Sequence, residues 1–208
     1  MSNTAEAQPR PRKEEILDVA TCLFAERGYE GTSMNDVAER VGMRKASLFY
    51  HFATKDALYE AVLDRLVASL QTALDAVYTS SGTYPDRLDA VTETMVNVLG
   101  SHPYAARLLL REAMDWGPVI RGKLLDRITS VLEAGAAWVR AGQEQGAFYD
   151  GDPKQMVLTA MSMHFLPFAL GKLVEHYVGK DPFDASFVAE RREALKVHTR
   201  NLQLKKRG

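Results

Sequence analysis

The stretch Thr32–Phe52, TSMNDVAERVGMRKASLFYHF, constrains this chain more than any other. Ser33 is a natural N-cap, and Asp36 three residues on completes a capping-box-like pair. Met34, Val37, Ala38 and Val41 then recur at helical spacing. Gly42 follows at once, where a left-handed residue ends a helix without a Cβ clash. Met43, Leu48 and Phe52 are the apolar positions of a second helix. Its other face carries Arg44, Lys45, Ser47, Phe49, Tyr50 and His51. Two short helices joined by a tight turn, the second with donors and aromatics facing outward, form the pattern that presents a recognition helix to DNA.

The match extends beyond that motif. The helix ending Leu23-Phe24-Ala25-Glu26-Arg27-Gly28-Tyr29 is followed by Thr32-Ser33, by Val37-Ala38 and by Val41-Gly42. Leu48-Phe49-Tyr50-His51-Phe52 and Lys55-Asp56-Ala57-Leu58 complete the order. On these residues Arg12–Leu63 resembles the N-terminal domain of the TetR family of transcriptional repressors (TetR/AcrR type). The resemblance implies that Ser33, Arg44, Ser47, Tyr50, His51 and Lys55 bind phosphates and fix the register. Lys45 and Ala46 face base edges, where a lysine donates to guanine acceptors and an alanine packs on a thymine methyl. Phe49 adds an apolar base contact. Two positions depart from the family pattern. A small hydroxyl residue often stands where Arg44 is, a cap worth about 1 kcal/mol, and a tyrosine often stands where Phe49 is.

Composition supports a reducing compartment. The 208 residues carry a formal net charge of −1 and a single cysteine, Cys22, which excludes an internal disulfide framework and fits the cytoplasm. No secretory leader opens the chain. The longest apolar stretch, Met156 to Gly171, is broken by Thr159, Ser162, His164 and Pro167 and is shorter than the ~20 residues that span a bilayer. Basic and acidic residues nearly balance over the first 55 positions, so the domain is no polycation. Their distribution carries the argument: between Gly42 and Lys55 there are three basic residues and no acidic one, a local basic face suited to a defined docking surface.

In order, residues 1–11 are polar and aperiodic and read as a mobile arm; residues 12–53 form the helix-turn-helix domain. Residues 54–208 form a helical domain for effector binding and dimerisation. Thr54 caps a long helix reaching about Thr79, the link between the two domains. Further helices are expected over about Asp86–Leu99 (ended by Gly100), from His102-Pro103 to Gly117, over Pro118–Gln145, over Pro153–Val178 and over Asp184–Leu204. No segment alternates as a strand does. The expected fold is all-α, with about nine helices and no internal repeat.

The second domain is less specific. Met161, His164, Phe165 and Phe168 crowd the helix that starts at Pro153, while Met95, Leu99, Met114, Trp116 and Trp138 lie on neighbouring elements. A helix apolar on nearly all faces must be covered by its own core, a dimer mate or an apolar ligand. Methionines and aromatics suit adaptable pockets, and they serve equally as plain core. Pro167, inside a helix, deletes one backbone bond and crowds the carbonyl of Met163; such a gap commonly borders a cavity. The resemblance further implies a homodimer through the last two helices, with Phe187, Val188, Leu195, Val197 and Leu202 spaced for the seam.

The resulting expectation is a sequence-specific DNA-binding transcriptional regulator. A small apolar or amphipathic effector would release it from a palindromic operator, with no cofactor, metal or membrane partner. The alternative is a helical small-molecule carrier or scaffold without operator specificity. An enzyme is disfavoured: the chain lacks a Gly-rich phosphate loop, a Cys/His metal set and a nucleophile elbow. Glu112 and Asp115, three apart, read as ordinary surface charge beside Arg111.

Overall fold

The computed structural model describes residues 12–116 and 120–205. The arm expected over residues 1–11 and the Gly117-Pro118 punctuation lie outside these. Ten α-helices follow one another: α1 (Arg12–Arg27), α2 (Met34–Val41), α3 (Lys45–His51), α4 (Lys55–Tyr78), α5 (Tyr84–Ser101), α6 (Ala105–Asp115), α7 (Leu125–Glu144), α8 (Pro153–Ala169), α9 (Gly171–Val178) and α10 (Ala185–Gln203). There is no strand among the described residues, only one antiparallel bridge between Phe148 and Leu204. Two compact units divide between Val62 and Leu63, inside α4. At 1.5 Å per residue the 24 residues of α4 extend over about 36 Å.

In the N-terminal unit, α1 buries Ile16, Leu17, Ala20, Leu23 and Phe24 and packs on α2, which packs on α3. The turn from α1 to α2 is held by buried Thr32, whose hydroxyl reaches the carbonyl oxygens of Gly28 at 2.9 Å and Leu23 at 3.1 Å. The capping box of α2 forms in full: Asp36 N–H donates to Ser33 Oγ, and Ser33 N–H donates to Asp36 Oδ2 at 2.8 Å. At the other end Gly42 adopts φ 72°, with Gly42 N–H on Glu39 O at 3.0 Å and Met43 N–H on Ala38 O at 2.9 Å. That pair of bonds is a Schellman closure, and it needs the left-handed residue that glycine supplies. Leu48 and Leu58 are fully buried and Phe52 and Tyr59 nearly so. Each such side chain contributes roughly 1.5–3 kcal/mol.

In the C-terminal unit α10 lies along α5, α7 lies along α8, and α8 also touches α5 and α6. One apolar cluster joins Leu74, Met95, Val96, Leu99, Phe168, Ala169 and Leu195. A second joins Leu88, Trp138, Val139, Phe148 and Met156. Within the second, Trp138 stacks on Tyr78 at 5.4 Å between ring centroids and meets Phe148 edge-on at 5.1 Å. The backbone bridge ties the end of α10 to this cluster: Tyr149 N–H donates to Gln203 O at 3.1 Å and Lys205 N–H to Ala147 O at 3.0 Å.

Several sequence expectations are corrected here. Gly100 does not end a helix; α5 runs on to Ser101. Gly100 is buried, and a Cβ there would stand 2.9 Å from Val188, so the glycine serves the close approach of α5 and α10. Pro103 lies before α6 rather than in its first turn, and the left-handed residue after α6 is Trp116, at φ 48°. The helix expected from Pro118 begins regularly only at Leu125, because Gly122 breaks it at φ −96°, ψ −142°.

The single helix expected over Pro153–Val178 is two, α8 and α9, bent by 79° at Leu170. Pro167 has no N–H for Met163 O, and Arg191 of α10 supplies the replacement, its Nη2 donating at 2.8 Å. Of the five seam residues expected on α10, Phe187 and Leu195 are buried in the chain's own core and Val188 packs against it; Val197 and Leu202 remain exposed. Phe187 meets Phe168 of α8, Val188 meets Gly100 of α5, and Leu195 joins the first apolar cluster.

Arg191→Met is expected to destabilise the protein by about 1–3 kcal/mol, the usual cost of an unsatisfied buried acceptor. Pro167→Ala restores an N–H for Met163 O, so the Arg191→Met penalty should shrink in that background. Urea unfolding of the four proteins in the double-mutant cycle measures the coupling.

Candidate nucleic-acid interface and internal cavity

The seven residues of α3 present one buried side chain, Leu48, and an outward face. Arg44, Lys45, Ala46 and Ser47 are exposed, Phe49 is 38% exposed and Tyr50 is 88% exposed, while His51 is half-buried. Tyr50 therefore stands clear of the core and contributes little to packing. Lys45 Nζ lies 5.7 Å from the centre of the Phe49 ring, and Tyr50 and His51 meet edge to face at 5.5 Å. Arg44 occupies the N-cap position of α3 and makes no side-chain cap. The first N–H groups of α3 therefore lack the side-chain acceptor that a serine or threonine would supply, which suits them to an incoming phosphate oxygen.

Two expected phosphate ligands have other engagements. The Ser33 hydroxyl donates to Asp36 Oδ2 at 2.6 Å and accepts from Asp36 N–H. Lys55 Nζ sits 4.1 Å above the Tyr29 ring. Tyr29 in turn donates to Asp56 and packs against Phe24 and Tyr59. Lys55, half-buried, is thus held against an aromatic face. The Ser33 hydrogen bond is the main reason the Asp36 carboxyl lies below the ordinary value of 3.8.

The C-terminal unit contains a partly open cavity of about 250 Å³. It lies between the two apolar clusters and takes wall residues from both. Leu70, Leu74 and Tyr78 of α4, Leu109 and Leu110 of α6 and Val131 of α7 form part of the wall. Of the nine residues expected to line a pocket, Met95, Trp138, Met161, His164 and Phe165 do so. The other four lie elsewhere. Leu99 and Phe168 are interior to the first cluster, Phe168 set against Phe183 and Phe187. Met114 and Trp116, at the end of α6, are 76% and 53% exposed. Sequence reasoning missed Tyr78, Thr92, Thr199 and Gln203, the polar members of the wall. Thr92 and Thr199 do fall on the buried stripes of α5 and α10, the one sign that marks them out. Burial, followed by the nearby Asp75 charge, pushes the Tyr78 hydroxyl up to about 12.

Comparison with known proteins agrees with this arrangement. Residues 16–62 match the family model for bacterial regulatory proteins of the tetR family. Residues 85–196, more than half of the chain, match the tetracyclin repressor-like C-terminal domain. The chain belongs to the tetR family. It is a DNA-binding transcriptional regulator, and the proteins it resembles are regulators rather than enzymes.

The HTH-type transcriptional regulator RutR of Escherichia coli is 27% identical over 163 residues, covering 76% of this chain and 75% of RutR. The negative transcriptional regulator IcaR of the biofilm operon icaADBC in Staphylococcus aureus is 50% identical over 48 residues, 23% of this chain and 26% of IcaR. Among solved structures, the ketosteroid transcriptional regulator KstR2 of Mycobacterium tuberculosis superposes with a TM-score of 0.78 at 19% identity, over 96% of this chain and 98% of its own. AibR, solved with isovaleryl coenzyme A and operator DNA, superposes with a TM-score of 0.72 at 18% identity, over 90% and 97%. These likenesses establish the fold of this tetR-family chain over nearly its whole length.

The depressed Asp36 carboxyl fixes a sign. Its contribution to stability is present above the unfolded value near pH 4 and is lost as the pH falls through the lower folded value. In Ser33→Ala the Asp36 carboxyl resonance should titrate closer to the ordinary value, and acid unfolding should depend less steeply on pH. NMR titration of the two proteins checks this.

Proposed function

We propose that this regulator is a repressor that binds a palindromic operator as a homodimer and is released when a small, largely apolar molecule occupies the C-terminal cavity. The observation that carries the reading is the composition of α4. One helix bears Lys55 and Tyr59 beside the DNA-reading residues and, further along, the wall residues Val67, Leu70, Leu74 and Tyr78. An occupant of the cavity therefore touches the helix on which the reading unit is built. Release requires that the occupant prefer the non-binding state, typically by 1–3 kcal/mol. That IcaR is a negative regulator, and that AibR is seen with both an acyl-coenzyme A and operator DNA, supports the assignment by analogy. A regulator of chromosomal genes works in the cytoplasm.

The roles assigned on α3 stay as the sequence suggested. Lys45, Ala46 and Phe49 meet base edges, and Arg44, Ser47, Tyr50 and His51 meet backbone phosphates, with Ser33 and Lys55 at the margins of the footprint. Ser33 contributes less than the others because its hydroxyl is engaged in the cap of α2. Dimerisation is supported by apolar side chains left exposed on the last three helices: Leu158, Leu166, Leu173, Tyr177, Val197 and Leu202. Exposed apolar groups concentrated on consecutive elements mark an interaction surface. A two-fold pair would place two copies of α3 in successive major grooves, about 34 Å apart.

Fluorescence-anisotropy titration against duplex DNA flanking the protein's own gene tests the reading. The wild type should prefer it over scrambled duplex by at least ~10³, and affinity should fall steeply with salt. Lys45→Ala with Tyr50→Ala should remove that preference while helix content is unchanged; equal affinity for scrambled duplex in the wild type would leave a carrier instead. Leu158→Glu with Leu166→Glu should give monomers in analytical ultracentrifugation and lose operator binding with them. A dimer that persists would place the seam elsewhere.

A further inference from the structure

The N-terminal unit has three lysines, Lys13, Lys45 and Lys55, and each stands over an aromatic ring. Lys13 Nζ is 5.6 Å from the centre of the Phe52 ring, Lys45 Nζ 5.7 Å from that of Phe49, and Lys55 Nζ 4.1 Å from that of Tyr29. The last contact is the closest, and its ring has a second link to the same helix. The Tyr29 hydroxyl donates to the carboxylate of Asp56, the residue next to Lys55.

Tyr29 also belongs to an aromatic group that ties the start of the α1–α2 turn to α1 and α4. Its ring stacks on Phe24 of α1 with centroids 6.2 Å apart and meets Tyr59 of α4 at 5.0 Å, while Phe24 and Tyr59 meet edge-on at 4.8 Å. Phe24 is fully buried and Tyr59 nearly so. The ring is thus held by the core and, through its hydroxyl, by Asp56. It is a fixed platform.

Local stability does not favour a cation at position 55. Lys55 is the first residue of α4, after Thr54, whose Oγ1 accepts from Ala57 N–H at 3.1 Å. The N-terminus of a helix is its positive end, where a carboxylate stabilises and a cation is disfavoured. The negative π face of Tyr29 offsets that repulsion. An ammonium has three N–H donors, and one ring face does not occupy them all, so donors remain for a phosphate oxygen. A lysine that grips a phosphate from free solution loses much of its rotamer freedom. Here the ring has already narrowed it, which is preorganisation. Lys55 follows His51, the last residue of the reading helix, by four positions.

We infer that Tyr29 is a positioning residue for DNA binding: its ring face holds the Lys55 ammonium in place for a backbone phosphate, and its hydroxyl, by engaging Asp56, fixes the ring on α4. The inference rests on the reading of Lys55 as a phosphate contact and adds the residue through which that contact works.

Fluorescence anisotropy on the full-length protein over a range of salt concentrations tests it, with duplex DNA flanking the protein's own gene and with scrambled duplex. Lys55→Ala should weaken binding to both alike, since a phosphate contact carries no sequence information, and should lower the salt slope by about 1. Tyr29→Leu should weaken binding by about three- to tenfold, and Tyr29→Phe, which keeps the ring face, should stay within about twofold of wild type. In the Lys55→Ala background Tyr29→Leu should add almost nothing, a coupling that a merely structural role does not produce. Equal weakening by Tyr29→Leu in both backgrounds overturns the positioning role and leaves Lys55 as a phosphate contact. An unchanged affinity and salt slope in Lys55→Ala removes the phosphate contact, and this inference with it. The wild type decides the matter if Tyr29→Leu fails to fold: in NMR spectra the Lys55 ε-methylene protons should be shifted upfield by the ring and should stay so in the DNA complex. Loss of that shift on binding DNA would mean that the lysine leaves the ring for the phosphate, and the inference fails.

Discussion

A helix of seven residues has no stability of its own. Isolated helices shorter than ~12–15 residues are marginal in water, and α3 has one fully buried side chain, Leu48, to hold it. Everything the N-terminal unit does rests on that anchorage. The Schellman closure at Gly42 sets the direction in which the chain leaves α2, and Leu48 and Phe52 then pin the middle and the C-terminal end of α3 to the core. The rest of α3 is left free to face outward. Such an arrangement makes the outward residues interchangeable without unfolding the unit, which is what allows one scaffold to read different base sequences.

The C-terminal unit solves the opposite problem. Its helices are apolar enough to close on themselves, yet a cavity persists between two clusters that are each well packed. The aromatic set around Trp138, with Arg87 stacked over Tyr84 and Trp138 and donating to the Tyr78 carbonyl, stiffens one side. Beyond the cavity wall the chain bends by 79° at Leu170. Pro167 lacks the hydrogen bond that would keep α8 running straight into α9, and Arg191 takes the orphaned carbonyl of Met163. A proline and an arginine far apart in sequence thus act as one device: the first breaks the helix, the second makes the break tolerable.

Much of this was readable in the residues. Caps, left-handed glycines and apolar spacing are local, and the boundaries of α1 to α4 follow from Ser33, Gly42 and Thr54 with errors of a residue or two. Local signals misled wherever a residue served a distant neighbour. Gly100 looks like a helix stop and is in fact a point of close approach to Val188. Phe187 and Leu195 look like a seam between copies and are buried against the chain's own α5 and α8. Met114 and Trp116 look like pocket walls and lie exposed at the end of α6.

By itself the sequence determined that the chain is all-helical, with a helix-turn-helix near its N-terminus and apolar helices after it. Those properties depend on spacing along the chain, and spacing is written in the sequence. Only the tertiary structure decided which apolar residues surround a space and which fill one. It also decided that Thr92, Thr199 and Gln203 share a wall with Trp138 and His164. Those properties depend on which faces of six helices meet, and no local pattern encodes the angle at which one helix crosses another.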